Sequence, residues 1–200
     1  MKRVFLDTET TGFAPGQIGQ LSMIIEEDNG EVTGKNYFFD IDYISDSASE
    51  ATGRDLDFYK EASGGKRFVD YKDEIYKILD NSTIIAHNLK FDENFISTEF
   101  WRLGIMFKPT ASFDTMDYFK DICGIYKNGK VKNPKLSELV GHFSIDNDKI
   151  SSYSDLLFKI NNKGFHDATF DTTALYIAFC IHRDDLNGVK ESSWRKEFCK

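Results

Sequence analysis

Apolar and polar residues alternate along the N-terminal part of the chain, which is the pattern of strands with two different faces. Leu21, Met23 and Ile25 mark one face of such a strand, and Asn29-Gly30 is the dipeptide most typical of a tight hairpin turn. Strands are predicted over residues 4–8, 18–26 and 31–41. The chain therefore opens with a predicted antiparallel meander of three strands.

A helical period replaces the alternation after residue 68. Helices are predicted over residues 68–79, 89–103, 136–143 and 168–182, with short strands over residues 83–86 and 113–116. Residues 42–66 are polar and irregular and predict a surface excursion with one short helix near residues 55–60. The predicted fold class is α/β, a mixed sheet of three antiparallel strands followed by parallel βα units and flanked by helices.

The composition narrows the class of protein. The 200 residues suffice for one compact domain, and the longest apolar run, residues 174–181, is far shorter than a membrane span of about 20 residues. Cys123, Cys180 and Cys199 are odd in number and widely spaced, which argues against a disulfide framework or a zinc site. We expect a protein of the reducing cytoplasm, with no export signal and no membrane partner.

The charge balance is acidic, with 25 Lys and Arg against 33 Asp and Glu and a net charge of −8. Such a chain does not attract phosphates at long range. Carboxylates that hold divalent cations can nevertheless present net positive charge to a phosphate. Nucleic acid therefore remains a candidate substrate through bound metal.

Two carboxylates stand two positions apart at the end of the first predicted strand. Asp7 and Glu9 must point to the same side of the sheet because side chains alternate along a strand. A pair of surface carboxylates on an edge strand is one interpretation. The apolar residues before Asp7 favour the other, in which buried carboxylates are paired, protonated or bound to metal.

A third carboxylate, Asp92, follows the strand predicted at residues 83–86, where open α/β sheets place ligands. The helix dipole alone also favours an aspartate in a first turn. In the same turn, Asn88 is more typical of a helix N-cap than of a reactive group. His87 is more typical of a half-buried structural histidine. Taken alone, Asp92 is a weak indication of a site.

The last cluster combines His166, Asp167 and Asp171, with Asp167 as the natural N-cap of the helix that follows. Five residues rotate a helix by about 500°, so His166 and Asp171 would diverge by about 140° inside one helix. They can converge only if His166 precedes the helix. Gly164 and the Asp167 cap place it there.

Three segments carry a recognisable order of motifs: Leu6-Asp7-Thr8-Glu9-Thr10-Thr11-Gly12, then His87-Asn88-Leu89-Lys90-Phe91-Asp92 with Phe95, then His166-Asp167-Ala168 with Asp171. Together they resemble the DEDDh branch of the DnaQ-like 3′-to-5′ exonucleases, which have an RNase H-like fold. The match covers most of the chain, and each motif lies at the element boundary that its chemistry requires.

The resemblance implies that Asp7, Glu9, Asp92 and Asp171 hold two divalent cations, Mg²⁺ or Mn²⁺, which suit an all-oxygen site. It implies His166 as the general base and nucleoside 5′-monophosphates as products. The terminal nucleotide is expected to contact Thr10, Thr11, Gly12, Phe13, Gln20, Asn88 and Phe91. For Phe91, whose spacing to Phe95 matches a helix face, a core position is favoured over base stacking.

The leading hypothesis is a metal-dependent exonuclease acting on single-stranded or frayed 3′ ends, with DNA as first choice. An exoribonuclease that trims RNA 3′ ends is the close alternative. A non-catalytic nucleic-acid-binding module associated with a polymerase, and a hybrid-cutting endonuclease, are more distant ones. We expect an exonuclease domain over residues 1–184 and a tail over residues 185–200. The tail is expected to be a short helix or a docking segment for a DNA polymerase or repair partner.

Overall fold

The computed structural model describes residues 1–13, 16–159, 167–189 and 192–200. The main sheet contains β1 (Arg3–Thr10), β2 (Ile18–Glu26), β3 (Val32–Phe38), β4 (Thr83–Ala86) and β5 (Ala111–Asp114), in the order β3-β2-β1-β4-β5. The first three strands are antiparallel, and β4 and β5 run parallel to β1. A small hairpin joins β6 (Tyr126–Lys127) to β7 (Lys130–Val131). The central strand β1 thus lies between the antiparallel and the parallel halves.

The helices cover both faces of this sheet. They are α1 (Asp46–Thr52), α2 (Leu56–Ser63), α3 (Phe68–Leu79), α4 (Leu89–Arg102), α5 (Thr115–Tyr118), α6 (Lys120–Cys123), α7 (Leu136–His142), α8 (Asn147–Phe158), α9 (Ala168–Leu186) and α10 (Ser193–Phe198). No helix in the described ranges is long and apolar enough to cross a membrane.

The alternation along β1 assigns its side chains to two cores. Val4 and Leu6 pack in the core that contains residues of α3 and α4, whereas Phe5 packs with Leu175 and Tyr176 of α9. Phe5 meets Tyr176 edge to face, with ring centroids 4.9 Å apart. Because side chains alternate, the even positions of β1 face α4 and the odd positions face α9.

The α/β fold class predicted from the sequence is confirmed, and so are the bounds of β2 and β4. The structure differs at several other elements. The strand predicted at residues 31–41 is shorter, the strand predicted at residues 113–116 lies at Ala111–Asp114, and residues 42–66 contain two helices instead of one. Helices α5, α6 and α8 and the β6–β7 hairpin were not predicted. Helix α8 is rich in Ser and Asp, which are poor helix formers, and buries only Ile150 and Ser154, so its sequence lacks a clear apolar stripe.

The C-terminal tail forms the short helix α10, which packs on α8 and α9. Trp194 stacks on Phe198 with ring centroids 5.4 Å apart and meets Tyr176 edge to face at 5.5 Å. Phe198 is buried. Both aromatic rings therefore pack inside the protein, while the domain boundary after residue 184 and a docking role of the tail stay predictions.

Candidate active site

The α9 face of β1 carries a close group of carboxylates. Phe5 lies in the core beneath α9, so Asp7 and Glu9 point to the same face two and four residues later. There they meet Asp171 in the first turn of α9, and ligand oxygens of the three residues lie within 4.8 Å of one another. All three side chains are half-buried, which leaves an open side toward solvent.

Asp92 approaches from the other face of β1. It is buried in α4, and its Oδ1 accepts hydrogen bonds from the backbone N–H of Thr8 at 3.0 Å and from the Thr8 hydroxyl at 2.7 Å. Asp92 therefore lies outside the close group of three, although Thr8 ties it to the strand segment that carries Asp7 and Glu9. The assignment of all four as metal ligands stays a prediction.

The pKa values in this group are displaced upward. Burial, followed by repulsion from Asp92 and Asp171, raises the pKa of Asp7 well above its ordinary value. Burial raises the pKa of Glu9 to about 7, although the Arg54 guanidinium acts in the opposite direction. Burial also raises the pKa of Asp92 to about 7, against hydrogen bonds from β1. Among the described residues, the contacts of Arg54 and Thr8 that oppose these shifts do not offset burial.

The donor chemistry fits divalent cations. Asp7, Glu9 and Asp171 supply only carboxylate oxygens, the ligands that Mg²⁺ and Mn²⁺ prefer. Charged carboxylates held close together in a partly buried site are unfavourable unless a cation lies between them. Burial and repulsion between carboxylates, which raise the pKa values of Asp7 and Glu9, are the effects that a bound cation would counteract.

Arg54 lies beside this group and was not identified from the sequence. Its Nη1 donates to Gln20 Oε1 at 2.5 Å, and its Nη2 donates to Asp167 Oδ2. The guanidinium lies 5.0 Å from the ring centroid of Phe58 and 5.5 Å from that of Phe38. Arg54 is only 9% exposed, although it belongs to the polar segment expected to be a surface excursion. Nothing in the pattern of that segment indicates a buried cation.

Gln20, a predicted nucleotide contact, has protein partners for its polar atoms. It is fully buried on β2, and its amide Nε2 donates to Asn36 Oδ1 at 2.9 Å while its Oε1 accepts from Arg54. Its contact with a nucleotide stays a prediction.

The start of α9 follows the expected capping pattern. Asp167 Oδ1 accepts from the backbone N–H of Thr169 at 3.0 Å, so the predicted N-cap is confirmed. His166, the predicted general base, lies outside the described residues, and its role stays a prediction. Asp167 itself is buried and links the cap of α9 to Arg54.

A cleft of about 210 Å³ opens beside Glu9. It is lined by Thr8, Glu9, Thr10, Gly12, Phe13, Ser47, Ala48, Ala51, Thr52 and Phe91. Phe13 is 87% exposed at its rim. Gly12 has a φ of +143°, and a Cβ at this position would lie 2.9 Å from the Ser45 hydroxyl, so the loop requires glycine here.

The two threonines of this loop form hydrogen bonds within the protein, and their contacts with a nucleotide stay predictions. Thr11 is fully buried, and its hydroxyl accepts from the Gln17 N–H at 2.9 Å. The Thr10 hydroxyl donates to the Gly12 carbonyl at 3.0 Å. Both hydroxyls therefore stabilise the loop, and Thr10 also lines the cleft together with Gly12 and Phe13.

The residues of the second motif, Phe91, Asn88 and His87, lie in three different environments. Phe91 packs on Phe95 with ring centroids 4.9 Å apart and also lines the cleft, so it serves the core and the cleft together. Asn88 is exposed and occupies the predicted N-cap position of α4 with a φ of +72°, but within the described chain its side chain makes no capping hydrogen bond. His87 is held by the Thr115 hydroxyl at 3.1 Å and the Pro134 carbonyl at 2.9 Å, as a structural histidine.

Curated relatives match parts of the chain. Over 53 residues it is 40% identical to the 3′-5′ exonuclease DinG of Staphylococcus epidermidis, which covers 26% of this chain and 6% of that protein. Over 108 residues it is 34% identical to the DNA polymerase III subunit epsilon of Rickettsia prowazekii, which covers 50% of this chain and 44% of that protein. The chain thus spans less than half the length of these relatives.

Solved structures match the fold over nearly the whole chain. Exonuclease I of E. coli, in complex with a dT13 oligonucleotide, superposes with a TM-score of 0.68 at 16% identity, over 94% of this chain and 42% of that one. Exonuclease I of Methylocaldum szegediense gives a TM-score of 0.65 at 15% identity, over 92% of this chain and 41% of that one. These likenesses show the RNase H-like fold.

A family model also matches most of the chain. The model of the exonuclease family RNase_T covers residues 4–179, a range that includes the carboxylates of β1, α4 and α9. Together with the fold and the order of the three motifs, this match shows that the chain belongs to the DnaQ-like exonuclease family.

Proposed function

We propose that this chain is a metal-dependent 3′-to-5′ exonuclease that releases nucleoside 5′-monophosphates from single-stranded or frayed 3′ ends, with DNA as the preferred substrate. One observation carries the proposal. Carboxylate oxygens of Asp7, Glu9 and Asp171 converge within 4.8 Å beside a cleft that is open to solvent. Such a group can bind cations and a phosphodiester on the same side.

Each residue has a defined part in the proposed reaction. Asp7, Glu9, Asp92 and Asp171 would hold two divalent cations, which lower the pKa of an attacking water and neutralise charge on the phosphate and the leaving 3′ oxygen. His166 would accept the proton of that water, since an imidazole with an ordinary pKa near 6.5 is a base at neutral pH. Thr8 would keep Asp92 in place through its two hydrogen bonds.

The size of the cleft supports attack at a chain end. A volume of about 210 Å³ lies below the roughly 300–1,000 Å³ of pockets that enclose a drug-sized ligand. It would therefore take part of one terminal nucleotide, with the preceding nucleotides outside. The exposed ring of Phe13 at its rim would stack on an unpaired base, a contact that tolerates any sequence.

The relatives support DNA as the substrate class. One matched relative is named a subunit of DNA polymerase III, and one matched structure is a complex with a dT13 oligonucleotide. A polymerase or repair protein is accordingly the partner that we propose. The cytoplasm is the proposed location, because Cys123, Cys180 and Cys199 are all free thiols.

The test is cleavage of 5′-labelled DNA and RNA oligonucleotides of equal sequence with Mg²⁺, Mn²⁺ or EDTA. We expect a ladder that shortens from the 3′ end, faster on DNA and absent in EDTA. The Asp7→Asn variant serves as a matched control for contaminating nucleases. Faster shortening of RNA would favour the exoribonuclease, and binding without cleavage would contradict catalysis.

A further inference from the structure

A buried arginine joins the strand side and the helix side of the carboxylate group. Arg54 stands between α1 and α2, and its guanidinium binds Gln20 on β2 and Asp167 at the start of α9. With Gln20 and Asp167 also buried, this is an internal network and not a surface ion pair. Guanidinium groups hold partners in fixed directions because their donors form a planar fork.

Both partners of Arg54 are neighbours of carboxylates in the group. Gln20 is paired with Glu9 in the register of β1 and β2, and cross-strand partners share a face of the sheet. Asp167 caps α9 one turn before Asp171, which donates its own N–H to the Asp167 carbonyl at 3.0 Å. A single side chain therefore connects β2, at the cross-strand partner of Glu9, to the helix that bears Asp171.

We propose that Arg54 is a positioning residue, whose fork fixes the start of α9 against β2 and thereby sets the separation of Glu9 and Asp171. The proposal rests on the metal-binding role in the proposed function. Arg54 does not itself enter the close group of carboxylates, because its Nη1 and Nη2 are directed to Gln20 and Asp167. Outer partners of this kind typically change metal affinity about 10- to 100-fold when they are removed.

The far end of α9 supplies a matched control. Arg183 Nη1 binds Glu26 Oε1 at 2.8 Å and so fastens α9 to the opposite end of β2. Arg183 lies 12 residues beyond Asp171, about 18 Å along a helix. Arg54 and Arg183 both join α9 to β2, but only Arg54 does so next to the carboxylate group.

A purely electrostatic role and a positioning role of Arg54 predict opposite effects of Arg54→Met on the binding of a divalent cation. If Arg54 acted only through its positive charge, Arg54→Met would strengthen the binding of a divalent cation, because a nearby repulsion would vanish. If it acts by positioning, Arg54→Met weakens the binding. Arg54→Lys keeps the charge but loses the fork, so positioning predicts weaker binding in this variant as well.

The experiment measures Mn²⁺ binding without nucleic acid, by the electron paramagnetic resonance signal of free Mn²⁺, together with thermal unfolding of each variant. We expect about tenfold or greater weakening in Arg54→Lys and Arg54→Met. Arg183→Met is expected to lower Tm and to leave Mn²⁺ affinity unchanged. Arg54→Met removes the guanidinium that pairs with the buried Asp167 carboxylate. The double variant Arg54→Met/Asp167→Asn removes the carboxylate charge as well, so that no unpaired charge stays buried.

Unchanged or tighter Mn²⁺ binding in Arg54→Met or in the double variant would overturn the proposal. Equal weakening in Arg183→Met would overturn it too, since the effect would then follow general stability. Failure of the proposed function has a different signature, namely a wild-type protein that binds no Mn²⁺. If the wild type binds Mn²⁺ and the Arg54 variants bind it equally well, the positioning role alone would be rejected.

Discussion

The two ends of the β1–β2 pair hold carboxylates in opposite electrostatic settings. At one end, Glu26 accepts from Arg3 at 2.8 Å and from Arg183 at 2.8 Å. Burial alone would raise its pKa, but these hydrogen bonds and charges outweigh burial and lower it. At the other end, burial and mutual repulsion raise the pKa values of Asp7 and Glu9.

This difference in pKa distinguishes Glu26, a structural carboxylate, from Asp7 and Glu9, for which we propose a functional role. The protein supplies two guanidinium groups to Glu26. The guanidinium nearest to Glu9, that of Arg54, is already bound to Asp167 and Gln20. In the described part of the chain, this guanidinium does not offset the burial of Glu9, which supports the proposed metal dependence.

The largest expected effect is the loss of activity in Asp7→Asn, at the active-site end of the β1–β2 pair. Asp7→Asn should lower kcat by about 10³-fold, because a cation loses a ligand and several kcal/mol of transition-state stabilisation. Its Tm should stay unchanged or rise, since the substitution removes repulsion from Asp92 and Asp171. Exonuclease kinetics and thermal unfolding of the purified variant measure both quantities.

Glu26→Gln is the control and should show the reverse pattern. It leaves Arg3 and Arg183 without their carboxylate, so we expect a loss of about 1–3 kcal/mol in the free energy of unfolding, or several degrees in Tm. Its kcat should match that of the wild type. If both variants lost activity to the same degree, the contrast between the two ends would be wrong.

The next effect compares histidines near the two ends of α9. His166→Ala should lower kcat by about 10²- to 10⁴-fold, the usual range for loss of a general base, with KM little changed. His182, which lies in the C-terminal half of α9 and contacts the Tyr118 hydroxyl at 3.0 Å, supplies the control. His182→Gln should retain kcat. A His166→Ala variant with wild-type kcat would remove this residue from the mechanism.

Short-range patterns explain what the sequence could predict. The common face of Asp7 and Glu9 follows from the alternation of a strand, and the N-cap by Asp167 follows from the preference of aspartate for that position. The bounds of β2 and β4 follow from apolar runs between turn residues. Each of these inferences needs only neighbours along the chain.

Contacts between distant segments explain what the sequence could not predict. Arg54 reaches Gln20 across 34 positions and Asp167 across 113, and no periodicity within residues 42–66 reports such partners. Asn88 stands at the N-cap position as predicted, but its backbone adopts a positive φ, its N–H donates to Asp114 Oδ1 at 3.2 Å, and its side chain makes no capping hydrogen bond. Tertiary packing decided both positions.

A smaller effect concerns the cleft at the active-site end. Phe13→Ala should raise KM for an oligonucleotide about tenfold with kcat nearly unchanged, because base stacking on an aromatic ring contributes about 1–3 kcal/mol. The matched control is Trp101→Ala, which removes a ring that is 73% exposed outside the cleft. Equal changes in KM for both variants would point to nonspecific aromatic contacts, and no change in Phe13→Ala would exclude stacking at this rim.

The last effect is a pH dependence of the free energy of unfolding with opposite signs at the two ends. Glu9 and Asp92 have folded-state pKa values of about 7, raised above the unfolded values, so the folded state binds more protons between about pH 4 and 7. Their stabilisation is present at low pH and is lost as the pH rises through about 7. Glu26 has a lowered pKa, so its stabilisation is present above its unfolded pKa and is lost as the pH falls through the folded value.

Thermal unfolding between pH 4 and pH 8, with and without Mn²⁺, measures this contrast. The pH dependence of Tm is measured for the wild type, for Asp7→Asn and for Glu26→Gln. The difference between the wild type and each variant isolates the contribution of one end from that of the other titrating groups. Mn²⁺ should raise Tm more at pH 8 than at pH 5, because ionised carboxylates bind the cation and protonated ones do not. Equal stabilisation by Mn²⁺ at both pH values would mean that the ion binds away from Asp7, Glu9 and Asp92. The uncompensated charge at this end of β1 would then need another explanation.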